Sequence, residues 1–466
     1  MLPIKFIIPV AIGGVLYFFP IPTGLEPKAW HLFSIFVGTV LGLILRPYPM
    51  SVIALLGLVV SILTNTLDLT KEALVGFQTP TIWLVVNVFF LARGFIKSHL
   101  GSRIAYYFIR KFGRNTLGLG YALGLSEFFT APFIPSSTAR SGGVMLPIVQ
   151  SICHAFHSKP ELHTQKKLGT YLIQCAFHAN IISSATFLTG MVSNPLCQSL
   201  AKAEGVVFTW MNWFVVAIIP GVISILSIPF IIFKLSPPEL RASQEAPLWA
   251  KNQIEKLGPL SIDEKKMIII FIMTLCLWII GEKVHINATA TALLGFCLAM
   301  FSGVVTLDDA LKEKDAWNTL LWLGILITLS KYLQVFGFVG YVTNHLANLL
   351  SGFSVMQAFY TLMISYFFLG YMFAGNSAHV SALYIAFLSL LISIGAPPVL
   401  SALVLAFMSS LYSSLTHYGS TAGGVYFATN FVDIRTWWIV GFIVGVTNLV
   451  IWIGLGSVWW KYLGFL

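Results

Sequence analysis

The sequence predicts an all-α polytopic membrane protein, an inverted repeat of about 11 transmembrane helices with two re-entrant helical hairpins. Three observations predict it. Of 466 residues, 57% are hydrophobic and 9% charged, whereas soluble domains carry roughly 25% charged residues. Apolar runs of about 17–25 residues recur from end to end, each able to cross a hydrocarbon core roughly 30 Å thick. Two apolar but broken regions have opposite surroundings: one is basic at both ends, and the other lies in a stretch without Lys or Arg.

In chain order, spans fall near 4–22, 29–46, 49–67 and 80–97, followed by a basic amphipathic stretch, 98–116. The first run follows Lys5 and lacks a convincing cleavage site, so it reads as an uncleaved span. Region 117–156, rich in Gly, Pro and Ser, is entered from Arg103, Arg110, Lys111 and Arg114 and leaves toward Lys159, Lys166 and Lys167. Both ends therefore face the cytoplasm, and a segment that enters and leaves on one side is a re-entrant hairpin. Spans follow near 169–200, 209–235, 266–281, 287–304 and 317–334. Region 353–396 lies between Lys331 and Arg435, with no Lys or Arg between them, so both its ends face outward. The last spans lie near 399–430 and 434–460.

Threaded this way, 19 of the 27 Lys and Arg residues are cytoplasmic, an excess that sets the orientation and accounts for the net charge of +10 without nucleic acid. Residues 1–235 form an N-terminal half with hairpin 117–156. Residues 236–265 are a cytoplasmic linker, and residues 266–466 form a C-terminal half with hairpin 353–396. The five cysteines lack a CxxC pair and read as small buried hydrophobes. His154, His157 and His163 read as a solvated loop, and Trp437, Trp438, Trp452, Trp459 and Trp460 as an interfacial belt.

The repeat is visible in residues. Pro135-Ser136-Ser137-Thr138-Ala139-Arg140 in the first hairpin aligns with Ala374-Gly375-Asn376-Ser377-Ala378-His379, 239 positions later. Each hairpin precedes a span broken in the middle, at Leu188-Thr189-Gly190-Met191-Val192-Ser193-Asn194-Pro195 and at Leu415-Thr416-His417-Tyr418-Gly419-Ser420-Thr421. Irregular backbone at membrane depth must line a cavity or ligand site. Half-helices starting there aim N–H groups and partial positive charge inward, which suits carboxylates. The candidate anion-binding residues are Ser136, Ser137, Thr138, Arg140, Thr189, Asn194, Asn376, Ser377, His379, Thr416, His417, Ser420 and Thr421. Asn180 faces either the cavity or another helix. No catalytic residue, metal or cofactor is implied.

Arg140 and His379 set the sign of the ligand, since a charged Arg at mid-membrane costs about 2.5–3.5 kcal/mol unless neutralised. One acid lies nearby, Glu127, and the anion hypothesis weakens if it neutralises Arg140. Unpaired in the empty carrier, the two cations would hold it still until a dianion binds, giving obligate exchange. A protonated His379 would make transport depend on pH near neutrality.

These motifs resemble the divalent anion/sodium symporter family, most closely its bacterial citrate/succinate antiporters and plastid 2-oxoglutarate/malate translocators. Pro-Ser-Ser-Thr-Ala-Arg-x-Gly-Gly-x-x-x-Pro at 135–147 carries the resemblance, together with Ser183–Thr189, Asn194-Pro195, Ser377–Tyr384 and Leu415–Tyr418. The resemblance implies a homodimer in the bacterial inner membrane, with scaffold and transport domains, elevator motion and small carboxylate anions bound between the hairpin tips. Family tips carry Ser-Asn-Thr. Here they read Ser136-Ser137-Thr138 and Gly375-Asn376-Ser377, which leaves the preferred carboxylate open. Sodium-coupled members build cation sites at these tips, and Arg140 and His379 look like substitutes for those ions. Sodium-coupled symport, a membrane-embedded enzyme and a channel are the competing readings.

Overall fold

In lipid the backbone must satisfy its own hydrogen bonds, so an apolar run of this length folds as helix. The computed structural model describes residues 4–281, 283–347 and 352–466, and among them no β-strand occurs. The first half opens with α1 (Ile4–Phe18), α2 (Pro27–Leu45), α3 (Met50–Leu63), α4 (Pro80–Lys97) and α5 (Leu100–Phe112). Next come α6 (Thr116–Thr130), α7 (Ser137–Arg140) and α8 (Leu146–Ala155), the last two joined by a π-helical turn, Ser141–Met145. Helices α9 (Gly169–Thr186) and α10 (Ser193–Ala203) flank a break, and α11 (Trp210–Leu235) completes this half.

Residues 236–265, expected as a linker, carry α12 (Ala246–Leu257). The second half begins with α13 (Ile262–Ile280), α14 (Ala288–Phe301), α15 (Leu307–Leu311), α16 (Lys314–Val335) and α17 (Phe338–Ala347). It continues with α18 (Val355–Leu369), α19 (Asn376–His379), a π-helical turn at Val380–Tyr384, and α20 (Ile385–Ser393). A second break separates α21 (Pro398–Leu411) from α22 (Thr421–Phe427), and α23 (Ile434–Val450) and α24 (Gly456–Tyr462) end the chain.

Start signals are local. Thr209 with Asn212, Ser261 with Glu264 and Ser354 with Gln357 form reciprocal capping boxes at the starts of α11, α13 and α18. Bounds in the two broken regions recur at one spacing: α18, α19, the second π-helical turn and α20 each begin 239 residues after α6, α7, the first π-helical turn and α8.

Two packing groups result. In one, α2, α3, α4, α13, α14 and α16 pack on one another; in the other, α6, α9, α11, α21 and α24 do. Threonine-on-glycine contacts bring helices close: a Cβ on Gly57 would meet Thr39 Oγ1 at 2.2 Å, and one on Gly221 would meet Thr186 Oγ1 at 2.3 Å. Small residues permit such approach where lipid gives no hydrophobic drive between helices. On the polar side the linker is tied down. The buried Arg103 of α5 pairs with Glu264 at the start of α13, and the Tyr106 and Trp249 rings of α5 and α12 meet edge to face at 5.6 Å.

Several expectations change. Among the described residues, seven helical segments are long and apolar enough to cross a bilayer, while α1, α3 and α14, at 14–15 residues, are shorter. The span expected at 317–334 turns by 63° into a further helix, α17, at Gly337, whose φ of +84° suits a residue without Cβ. The tryptophans are not simply a belt. Trp437, Trp452 and Trp460 are fully buried, and the indoles of Trp452 and Trp460 donate to Ser224 Oγ and the Val216 carbonyl. Cys153, Cys175 and Cys197 are buried, but Cys276 is exposed and Cys297 half-buried.

Candidate functional site

Six residues without α-helix, Ala131–Ser136, separate α6 from α7, and Ser136 ends this break as a cap: its Oγ accepts from the Ala139 N–H at 3.1 Å. Four residues on, Arg140 is wholly buried and fully engaged. Its Nε donates to Glu127 Oε1 at 2.7 Å, Nη1 to the carbonyls of Ile134 and Gly190 (2.6 Å to the latter), and Nη2 to Ser184 Oγ at 2.7 Å. The Asn180 amide donates to the same Glu127 oxygen at 2.6 Å and to the Ser137 carbonyl at 3.0 Å. One guanidinium thus ties α6, the first tip and the break after α9 together.

Arg140 was expected to be an unpaired charge that sets the sign of the ligand and holds the empty carrier still, and the structure overturns both inferences. Glu127 is the counter-ion, buried as completely as Arg140. A buried guanidinium needs both a carboxylate and acceptors for its remaining N–H groups, and α6 and the break supply them. Asn180 turns out to face this pair.

The second tip is built differently. Gly375 has φ +125°, and a Cβ there would stand 2.6 Å from Arg46 Nη2. Asn376 Nδ2 donates to the Ser409 carbonyl and to Ser413 Oγ, both at 2.7 Å, fixing the tip to α21. His379 is fully buried, with Nε2 3.0 Å from the Tyr366 carbonyl and its ring among Tyr366, Phe373 and Tyr412. No carboxylate pairs with it among the described residues. The contact requires only an Nε2–H tautomer, so the expected fixed charge at His379 is unnecessary to this geometry.

The two breaks are held by their own polar groups. Thr189 Oγ1 donates to the Pro132 carbonyl at 2.9 Å, and Asn194 Nδ2 donates to the carbonyls of Ser184 and Phe187. Ser420 Oγ caps α22 by accepting from Gly423 N–H at 3.1 Å. Thr416 is buried, and His417 stacks on Phe427 beside the Trp438 indole.

The pieces meet crosswise. Helix α10, after the first break, packs on α19 of the second tip, and α22, after the second break, packs on α7 of the first. Ser193 Oγ and Ser377 Oγ lie 3.0 Å apart, joining positions 184 residues distant in sequence. Ser137, Thr138, Asn376 and Ser377 stay half-buried and Thr421 is exposed, while Ser136, Arg140, Thr189, Asn194, His379, Thr416 and Ser420 are buried. Hydroxyls and helix starts of the two tips therefore lie against the opposite breaks, donors of the kind that suits carboxylate oxygens. Sequence reasoning missed Ser193 as a contact. It stood in the Val192-Ser193-Asn194-Pro195 break, and the polar lining of such a break was the available signal.

Comparisons with known proteins agree with this architecture. The family model described as the sodium:sulfate symporter transmembrane region matches residues 2–466. YflS, a transporter of Bacillus subtilis (strain 168) named for malate, is 44% identical over 462 residues, covering 99% of this chain and 96% of its own. Chloroplastic dicarboxylate transporter 1 of Spinacia oleracea is 40% identical over 455 residues, covering 97% of this chain and 80% of its own. The crystal structure of the Alcanivorax borkumensis YdaH transporter shares the fold, with a TM-score of 0.54 at 11% identity over 98% of this chain and 96% of that one. The chain is a multi-pass membrane transporter and belongs to the sodium:sulfate symporter family, the divalent anion/sodium symporters.

Proposed function

We propose that this transporter exchanges one small dicarboxylate or tricarboxylate for another across the bacterial inner membrane, without sodium. The single observation that carries the reading is the crosswise meeting of tips and breaks around Ser137, Thr138, Asn376 and Ser377. Contacts that join each tip to the opposite break support one shared site, as alternating access requires. Relatives named for malate and dicarboxylates support the substrate class.

Arg140 supports sodium independence. Its Nη1 lies between the carbonyls of Ile134 and Gly190, where converging oxygens would otherwise suit a small cation. The guanidinium is a cation that never leaves. In this reading Arg140, His379 and the Asn376 amide organise the tips and do not touch the ligand, while Ser137, Thr138, Ser377 and Thr421 meet its carboxylates.

The helix bounds recurring at 239 residues support a repeated hairpin, 117–156 and 353–396, within halves 1–235 and 266–466. The basic flanks of the first, against flanks without Lys or Arg for the second, support opposite orientation. The group holding both tips is the moving part of an elevator, the group around α2, α4 and α16 its scaffold, and two copies form a homodimer. Sodium-coupled symport is the second reading, favoured by the description of the matching family. Counterflow of labelled succinate against unlabelled malate, fumarate, tartrate, citrate and 2-oxoglutarate, with and without sodium, tests both. Exchange in sodium-free buffer supports the proposal, and strict dependence on sodium refutes it.

A further inference from the structure

With Arg140 consumed by Glu127, another cation stands at a hairpin tip. Arg46 follows the last residue of α2, in the left-handed region at φ +46°, where non-glycine residues are uncommon. Its Nη2 donates to the Ala374 carbonyl at 2.9 Å, across 328 residues of sequence. Beneath the guanidinium lies Gly375, whose missing Cβ makes room for it: any side chain there would begin 2.6 Å from Nη2. Helix α2 also packs on α19 and the π-helical turn that follows it. Arg46 is exposed and forms no ion pair among the described residues.

The contact has a direction. Arg46 ends the second span, on the cytoplasmic side by the positive-inside rule, whereas the second hairpin enters from outside. A tip that enters from outside and touches the cytoplasmic end of α2 has travelled to the inner side. A carbonyl–guanidinium contact between different packing groups cannot survive a large displacement of one group against the other.

We propose that Arg46 is a latch that holds the second hairpin tip, through the Ala374 carbonyl and the space over Gly375, in the cytoplasm-open state of the carrier. It is a positioning residue and touches no substrate. The inference rests on the alternating-access reading above. The latch stabilises one state of the cycle, so its loss lowers the population of that state and weakens apparent binding from that side alone.

The test measures half-saturating dicarboxylate on each face separately, in oriented proteoliposomes. R46A raises the internal value about two- to fivefold relative to the external one, the effect of losing one exposed hydrogen bond. R46K, which keeps a donor of similar reach, stays near the parent. Equal values on both sides for R46A, or equal weakening on both sides by both variants, overturns the latch. A second measurement does not depend on those kinetics. In a background with Cys276 and Cys297 replaced by Ser, R46C with A374C is bridged by a short bifunctional methanethiosulfonate. The bridge arrests exchange, and dithiothreitol restores it. Bridging that leaves exchange intact, or failure of the pair to bridge, also overturns the latch. If the parent shows no counterflow, the exchange reading falls, and bridging yield alone still decides whether the contact forms in the membrane.

Discussion

Replacing Glu127 by Gln removes the carboxylate that faces Arg140 in a site where both side chains are wholly buried. The guanidinium keeps its acceptors at Ile134, Gly190 and Ser184, but its charge is left without a partner. Breaking a buried pair from one side costs about 3–5 kcal/mol. The Gln amide oxygen still accepts from Nε, so the lower end of that range applies, about 3 kcal/mol. Arg140→Ala is at least as costly, because among the described residues the Glu127 carboxylate is then left with Asn180 as its hydrogen-bond donor. Arg140→Lys restores charge but not the planar fork that reaches Glu127, Gly190 and Ser184 together, so it rescues only part. The double variant E127Q/R140Q removes both charges and loses less than the sum of the singles, by more than about 1 kcal/mol. Thermal unfolding in detergent, followed by loss of the monodisperse peak in size-exclusion chromatography, reads the stabilities, and counterflow reads function. A substrate-facing Arg140 predicts another outcome: R140A as stable as the parent, with only the half-saturating concentration raised. That result, or strictly additive singles, would refute the counter-ion assignment.

Four further outcomes follow from named contacts. Gly375→Ala places a Cβ against Arg46 at a backbone angle that side chains avoid, lowering stability by about 1–3 kcal/mol in the same unfolding assay. Ser193→Ala removes the hydroxyl 3.0 Å from Ser377 and reduces exchange efficiency about fivefold, read from initial counterflow rates; no change would separate the two halves of the site. His379→Gln keeps a donor toward the Tyr366 carbonyl, so it retains exchange, read from initial counterflow rates. In the first turn of α15, the hydrogen bonds from Lys97 and the Thr306 N–H hold the Asp309 carboxyl at about 2, below its ordinary 3.8. A lowered carboxyl stabilises the folded state fully above its unfolded value and loses that contribution as pH falls through the folded one. Asp309→Asn therefore lowers thermal stability slightly at pH 7, by under about 1 kcal/mol because Lys97 is half exposed, and the deficit shrinks from about pH 4 toward 2.

The sequence displayed the fold in its apolar runs and the locations of both tips in their Pro, Gly and Ser residues, because lipid leaves few alternatives for such segments. Start signals such as Ser261 with Glu264 were equally local. What stayed hidden depended on distance. Glu127 and Arg140 are 13 residues apart and could be suspected as partners, but the choice between free and paired charge is made by Asn180, Ser184 and Gly190, which only folding brings close. Ser193 beside Ser377 and Arg46 beside Ala374 are tertiary facts without a local pattern. The buried tryptophans misled for a similar reason. Near a helix end, an indole at the membrane interface and an indole anchored on Val216 or Ser224 look alike in sequence.

The most direct measurement is uptake of labelled succinate into sodium-free proteoliposomes that are either empty or preloaded with unlabelled succinate. Rapid saturable uptake in the preloaded vesicles and almost none in the empty ones is the predicted result. Equal uptake in both, or uptake only when sodium is added, would contradict exchange through this site.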